Sequence, residues 1–378
     1  MNSYGKQTIG QTDIDAVVNC LTSDYLTQGP KVAEFEQAIC HYTQANHAVA
    51  VNSATSALHI ACLALNLTVH DIAWTVSNTF VASANCAKMC GASIDFVDIN
   101  PDTGNISIEA LTEKLVYAKQ IQQLPKLIVV VHFAGQPCDL EAIYILGQHY
   151  GFAIIEDASH ALGASYKNRK IGSCHFSDIT IFSFHPVKMI TTAEGGMALT
   201  NNAKLAKKLT LLSSHGIEPS PKTDTPWHYT QQCLGFNYRL SDIHAALGCS
   251  QIQYLDEWVQ TRNKLARYYD KKFTGSLITP LKQSLDSVNS YHLYVVLLPQ
   301  GTQRDLYLYL KSKNIGVQIH YIPVHTQPYY NDPIRKLKNT EQYYSCCITL
   351  PLYPRLSRTE QDTIVSEIFN FYSGLKSL

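Results

Sequence analysis

The sequence predicts an α/β fold, with a mainly parallel mixed sheet between helices and a smaller C-terminal α+β domain. Short apolar runs alternate with longer segments of helical period, the pattern of strands joined by crossover helices. With 378 residues, 46% of them hydrophobic, the chain is long enough to bury a large core and to form two domains.

The elements follow in order. "NSATSALHIACLAL" (52–65) sets small polar residues ahead of apolar positions 58, 61, 62 and 65, which share one helix face, with Asn52 or Ser53 as the cap. "KLIVVVHFAG" (126–135) and "GFAIIEDASHALG" (151–163) are buried strands that run into loops, separated by the helix-like "LEAIYILGQHY" (140–150). "DITIFSF" (178–184) is another strand, "HPVKMITTAEGG" (185–196) a turn region and "MALT" (197–200) a return strand. The strongly patterned stretch 241–273 predicts a long connecting helix. A domain boundary near residue 255 falls inside it, giving a large domain over 1–255 and a small one over 256–378. The loop "TGSLITPLKQSLDSVNS" and the strand-like "YHLYVVLL" come next. No internal repeat or low-complexity tract interrupts this order.

Charge and composition narrow the function. Thirty basic residues balance thirty acidic ones and no Lys/Arg stripe tracks a phosphate backbone, so nucleic-acid binding is disfavoured. The start, "MNSYGKQTIGQTDIDAV", lacks a basic region followed by an apolar core. No later run approaches the roughly 18 apolar residues a membrane span needs, so we expect a cytoplasmic protein without a membrane partner. Eleven cysteines, an odd number that includes the adjacent Cys346 and Cys347, point to reduced thiols rather than a disulfide framework.

Chemistry concentrates around "TIFSFHPVKMITTAEGGMALT" (180–200). Lys188 lies there among apolar and hydroxyl residues, where a folded chain would strip its ammonium of water and favour the neutral, nucleophilic amine. Asp157 closes an apolar strand and is placed either to cap a following turn or to hold a protonated heterocyclic nitrogen. His160 follows it, as a structural histidine or a site residue. The amides of Ala54 and Thr55, at the head of the helix after Ser53, suit either an ordinary helix start or an anionic phosphate. A phosphate cradle, a partner for a pyridine nitrogen and a lysine together make up the parts of a pyridoxal phosphate site.

Other chemistries lack their parts. The sequence contains no G-x-G-x-x-G after a strand, no Walker loop and no G-x-S-x-G elbow. Cys86 and Cys90 would share a helix face and His320 and His325 flank "YIPV", but neither pair has a second half that would complete a zinc site, so no metal is expected.

In this order, "EDASHALGASYKNRKIGS", "FSFHPVKMITTAEGGMALTN", "SSHGI" and "GFNYRLSDIHAALG" resemble the DegT/DnrJ/EryC1/StrS sugar aminotransferases, which are fold-type I pyridoxal phosphate enzymes. The resemblance covers nearly the whole chain. "SDYLTQGP", "NSATSAL", "GVQIHYIPV" and "ITLPLYPRLS" are similar to the subgroup of that family at work in the pseudaminic acid pathway.

The resemblance implies that Lys188 carries pyridoxal 5'-phosphate (PLP) covalently and later moves protons, and that Asp157 pairs with the pyridine nitrogen. It places His160 beside the ring near its phenolic oxygen, Ser183 with the amides of Ala54 and Thr55 on the phosphate, and Phe80 on the ring face. Asn237 would reach the phosphate site of a partner subunit, which implies a homodimer with shared active sites. Substrate contacts would come from Tyr4, from Asp24, Tyr25, Leu26 and Thr27, from Ala54 and Ser183, from Gln318, Ile319, His320 and Tyr321, and from Asn237. The implied substrates are L-glutamate and a UDP-linked 4-keto-6-deoxy-N-acetylhexosamine, with UDP-4-amino-4,6-dideoxy-N-acetyl-β-L-altrosamine as product. Another nucleotide-linked 3- or 4-keto sugar is the nearest alternative, and a non-catalytic sugar-nucleotide binding protein is the alternative of another class. The segment "NLTVHDIAWTVSNTF" departs from the relatives, with His70, Ala73 and Trp74 as unusual occupants.

Overall fold

A computed structural model gives the fold. It describes residues 3–219, 225, 227–330 and 336–375. Two helices, α1 (Gln11–Leu21) and α2 (Pro30–Thr43), precede the first strand. α2 opens on a proline, whose fixed φ suits a first helical turn, and the Asp242 carboxylate accepts the amides of Gly29 and Lys31 there at 2.8 Å each.

The chain then lays down β1 (His47–Val51), α3 (Ala54–Ala64), β2 (Ile72–Val76), α4 (Ala82–Met89), β3 (Ser93–Val97), α5 (Ile108–Gln120), β4 (Leu127–Val131), α6 (Leu140–Tyr150) and β5 (Ala153–Asp157). A small ribbon of β6 (Ser165–Tyr166) and β7 (Arg169–Lys170) leads to β8 (Ile179–Ser183) and the return strand β9 (Gly196–Thr200). Apart from the ribbon, these strands form one seven-stranded sheet in the order β1-β9-β8-β5-β4-β2-β3. The five strands from β3 to β8 are parallel, and β9 is antiparallel to both its neighbours, so the sheet is the mainly parallel mixed one expected.

Both faces of that sheet are covered, which is why its strands are apolar at successive positions. Along β4, Leu127 and Val129 pack with Leu58 and Ile60 of α3 and Ala87 of α4, whereas Ile128 and Val130 join the core that holds Phe35 of α2, Leu115 of α5 and Ile143 of α6. Trp74 and Ala73 are buried in β2, one on each side of the sheet, and His70 is exposed. The unusual occupants of that segment therefore serve the core and surface.

Beyond the sheet come α7 (Ala203–Ser213), the ribbon of β10 (Ile217–Pro219) and β11 (Tyr229–Gln231), α8 (Asp242–Gln251) and α9 (Leu255–Phe273). The expected single helix over 241–273 is in fact two, broken by a 3₁₀ turn over Ile252–Tyr254. Neither proline nor glycine marks the break. The expected loop 274–290 also holds two short strands, β12 (Thr279–Pro280) and β13 (Ser287–Val288), the second of which pairs with β6.

The remaining elements are β14 (Tyr294–Leu297), α10 (Gln303–Ser312), α11 (Lys338–Cys346), β15 (Cys347–Leu350) and α12 (Arg358–Leu375). β12, β14 and β15 form an antiparallel sheet with its own core, in which Val296, Ile348 and Leu350 meet Leu306 and Leu310 of α10 and Ile364 and Ile368 of α12. Arg262 of α9 is wholly buried and donates to the carbonyls of Tyr291, His292 and Leu352, fastening that core to the helix. All eleven cysteines are free thiols, and among the described residues no helix is long and apolar enough to cross a membrane.

Candidate active site

The carboxyl ends of β2, β4, β5 and β8 open on a cavity of about 630 Å³. β3 lies to one side of β2 and β5 to the far side of β4, so chain direction across the sheet reverses between β2 and β4, a switch point where open α/β sheets bind ligands. Twelve of the expected residues line this one space: Tyr4, Ala54, Thr55, Phe80, Asp157, His160, Ser183, Lys188, Gln318, Ile319, His320 and Tyr321.

Asp157 ends β5. Its Oδ2 accepts from Ser83 Oγ at 2.6 Å, and its Oδ1 accepts from Ser159 Oγ at 2.6 Å and from the Ser159 amide at 3.2 Å. These donors fix the carboxylate at the cavity floor and hold it as an acceptor, the form a protonated heterocyclic nitrogen needs. The first of the two readings of Asp157 holds, since it caps the turn that follows, and its position at the cavity is compatible with the second. Neighbouring Glu156 points the other way, toward His132. The His132 Nδ1 accepts the Cys138 amide, so Nε2 carries the proton and donates to Glu156 Oε2 at 2.7 Å. Burial pushes the Glu156 carboxyl up, but the hydrogen bond from His132, with those from the hydroxyls of Ser177 and Thr180, outweighs it and holds the carboxyl below its ordinary value.

Lys188 stands on the β8–β9 connection. The residue is part-buried at the cavity and, among the described residues, its amine makes no hydrogen bond or ion pair. Burial brings the amine down to about 8, with the Asp157 charge only partly opposing it. Burial likewise pushes the His160 and His320 imidazoles down, His320 to about 3, and the charge of Lys188 adds to both. Two neutral histidines thus flank the lysine.

His160 takes the Ala134 amide on Nδ1 at 3.3 Å, which places its ring proton on Nε2, where it donates to the Tyr321 hydroxyl at 3.1 Å. With that oxygen occupied as an acceptor, the Tyr321 proton is left to face the cavity. Burial raises this phenol well above its usual range, so it stays protonated.

The phosphate end is built by close approach. Ser53 caps α3 by accepting the Ser56 amide, so among the first-turn donors those of Ala54 and Thr55 remain for an anion. β9 passes so near that a Cβ on Gly196 would lie 2.4 Å from the Ala54 nitrogen and 2.5 Å from the Ser53 carbonyl oxygen, so only glycine fits there. Ser183 pairs with Gly196 across β8 and β9.

The far wall arrives from the C-terminal part of the chain. The Val324 and His325 amides donate to Ser77 O and Ser77 Oγ at 3.0 Å each, and the Tyr321 amide donates to Asn78 Oδ1 at 3.3 Å, which pins segment 318–327 to the end of β2. Gln318 meanwhile pairs with Thr349 beside β15. Tyr4 joins this wall through an edge contact with the His320 ring at 5.1 Å, and Phe80 covers the mouth with its ring 6.3 Å from that of Tyr321.

Asp24, Tyr25, Leu26, Thr27 and Asn237 do not line the cavity of the single chain. Residues 24–27 form an exposed turn bridged from Thr27 to Ser241, and Asn237 lies beside Ser214 with its carbonyl facing Asn52. Ser83 and Ser159, which hold Asp157, are absent from the sequence-based set, as is Asn78.

The comparisons bear directly on this cavity. A model of the DegT/DnrJ/EryC1/StrS aminotransferase family matches residues 7–369. The chain belongs to that family. It is 38% identical over 382 residues to the UDP-4-amino-4,6-dideoxy-N-acetyl-β-L-altrosamine transaminase of Campylobacter jejuni, a match that spans 100% of this chain and 99% of the relative. Helicobacter pylori PseC, a solved aminotransferase of pseudoaminic acid biosynthesis, superposes with a TM-score of 0.90 at 32% identity, covering 98% and 99% of the two chains. The sugar aminotransferase Spr1654 of Streptococcus pneumoniae, solved in its PLP form, does so at 0.86 and 29%, covering 96% of each. As a family member the chain is a PLP-dependent sugar aminotransferase of fold type I. Its cavity fits the cofactor on chemistry alone, since it offers a lysine amine, an anchored carboxylate, a free helix start and a hydroxyl in one enclosed space.

Proposed function

We propose that this aminotransferase converts UDP-2-acetamido-2,6-dideoxy-β-L-arabino-hex-4-ulose into UDP-4-amino-4,6-dideoxy-N-acetyl-β-L-altrosamine, with L-glutamate as amino donor, within pseudaminic acid biosynthesis. The observation that carries the choice of sugar is the full-length likeness to the Campylobacter transaminase.

PLP, when bound, supplies an electron sink that lets an amino group pass from the donor to the sugar carbonyl. The chain's residues do the rest. The neutral Lys188 amine would hold the cofactor covalently, and its Nζ could carry a proton to and from the reacting carbon. The Asp157 carboxylate would keep a proton on the pyridine nitrogen by a charge-assisted bond. The amides of Ala54 and Thr55 with the Ser183 hydroxyl would hold the phosphate, and Phe80 and His160, which line the same cavity, would bound the space for the ring. Tyr4 and the wall from Gln318 to Tyr321 receive the sugar nucleotide and exclude water from the lysine.

A homodimer follows from the same reading. Trp227, Tyr229 and Leu234 are large apolar side chains left exposed around the β11 ribbon, close in sequence to Asn237, and a second subunit would cover them. Asn237 would then reach the partner's phosphate site, and the exposed turn from Asp24 to Thr27 would meet substrate in the assembled enzyme. The division into domains over 1–255 and 256–378 is supported by the separate C-terminal core and by the start of α9 at Leu255.

The test is amination of the UDP-linked 4-keto sugar by glutamate, with the product identified by mass spectrometry and NMR, beside a panel of UDP- and dTDP-linked 3- and 4-keto sugars. Turnover at least tenfold faster with the named sugar supports the assignment. Faster turnover with another panel member moves it to that sugar, and binding of the panel without amination would indicate a binding protein.

A further inference from the structure

The segment 289–293, which leads into β14 of the C-terminal sheet, packs against His160. The Ser290 hydroxyl donates to the His160 carbonyl at 2.8 Å, and the His292 ring centre lies 4.4 Å from that of His160, with the two planes inclined at 47°. Ser290 and His292 are both buried, and neither lines the cavity that holds Lys188.

The approach is close. Gly135 has a φ of 99°, and a Cβ there would come within 2.4 Å of Ser290 Oγ and 2.9 Å of the His160 carbonyl oxygen, so only glycine fits between the two segments. The Ser290 amide donates to the Gly135 carbonyl at 3.1 Å and the Leu293 amide to the Ala134 carbonyl at 3.2 Å. Arg262 of α9 holds the carbonyls of Tyr291 and His292 at 3.2 and 3.4 Å. The segment is therefore fastened both to the loop after β4 and to α9.

We propose that Ser290 and His292 are positioning residues, which fix His160 so that the Tyr321 hydroxyl presents its proton to the reacting groups. The His160 ring is bonded only at its two nitrogens, to the Ala134 amide and the Tyr321 hydroxyl, which leaves it a hinge through those atoms. A flat side chain against its face blocks that motion, and the bond to its carbonyl fixes the backbone from which it hangs. His292 serves as a surface, since its buried Nδ1 has no hydrogen-bond partner among the described residues. Burial pushes both imidazoles well down, so two uncharged rings meet without repulsion.

The experiment follows the loss of the lysine-linked band when L-glutamate is mixed with PLP-loaded enzyme in a stopped-flow instrument. This half of the reaction contains no sugar, so the result is independent of the acceptor assigned above. His292→Ala is expected to slow the limiting rate about tenfold and Ser290→Ala about threefold. Both are expected to leave the position of the band unchanged and the half-saturating glutamate concentration within twofold of wild type. His292→Phe, which keeps a flat ring, is expected to recover the rate to within threefold of wild type. In a Tyr321→Phe background neither alanine variant is expected to slow the rate further by more than twofold, because both act through that hydroxyl. Wild-type rates in the single variants, the full loss repeated in the Tyr321→Phe background, or a His292→Phe enzyme as slow as His292→Ala would overturn the proposal. Ser290→Ala removes a single oxygen and carries the test where His292→Ala does not fold.

Discussion

The Ser83 hydroxyl donates to Asp157 Oδ2 at 2.6 Å, joining the first turn of α4 to the end of β5 at the floor of the cavity. The bond fixes the carboxylate that the pyridine nitrogen must meet. A hydrogen bond to a charged group contributes about 1.5–3 kcal/mol. Ser83→Ala is therefore expected to weaken PLP binding by about tenfold or more while leaving the protein folded, and Asp157→Asn to weaken it further. Titration of the apoprotein with PLP, followed by absorbance, measures both.

The Lys188 amine gives the capture of PLP a distinctive pH dependence. Its folded value of about 8 lies below the ordinary 10.5, with burial as the cause. The neutral fraction thus grows from about pH 6, reaches one half near about 8 and levels off above about 9, and the rate of PLP attachment to the apoprotein is expected to follow it. Folding stability has the same origin. Between about 8 and 10.5 the unfolded chain binds more protons at this residue, so its contribution to apoprotein stability rises with pH across that window. Stopped-flow absorbance reads the first effect, and denaturation of the apoprotein beside Lys188→Met reads the second.

His132 and Glu156 are both buried and paired at 2.7 Å just behind Asp157. Removing His132 takes one donor from a buried carboxylate that Ser177 and Thr180 still serve, at a cost of about 1.5–3 kcal/mol. His132→Phe is expected to lower stability by that amount in urea unfolding, whatever happens to catalysis. The Glu156 carboxyl is held below its ordinary value, so its contribution is present at neutral pH and is lost as the pH falls through that folded value.

Tyr321 accepts from His160 and keeps its own proton for the cavity. Tyr321→Phe retains the ring and removes that proton. Loss of about one hydrogen bond's worth of stabilisation lowers kcat by roughly tenfold. The spectrum of the bound cofactor is expected to be unchanged, which separates this role from a failure to hold PLP.

Much of this site was legible because it is local. Lys188, Asp157 and His160 each follow directly from an apolar strand, and Ser53 precedes a run with clear helical spacing. Ser83 and Ser159 were not legible, since a small hydroxyl in "VASAN" or "DASH" carries no sign of the carboxylate it will meet. The wall from Gln318 to Tyr321 came only from the resemblance. Its position depends on Ser77 and Asn78, more than 240 residues earlier in the chain, and no local period encodes that contact. The break at Ile252–Tyr254 escaped because the apolar spacing continues across it without proline or glycine.

The most direct measurement is the near-visible spectrum of the PLP-loaded protein before and after L-glutamate, with Lys188→Ala treated alongside. The wild type is expected to show the band of a lysine-linked cofactor and to lose it on adding glutamate, and the variant to show neither the band nor its glutamate-driven loss. Absence of any such band in the wild type after PLP is supplied, or the same band and bleaching in Lys188→Ala, would contradict the central role given to Lys188.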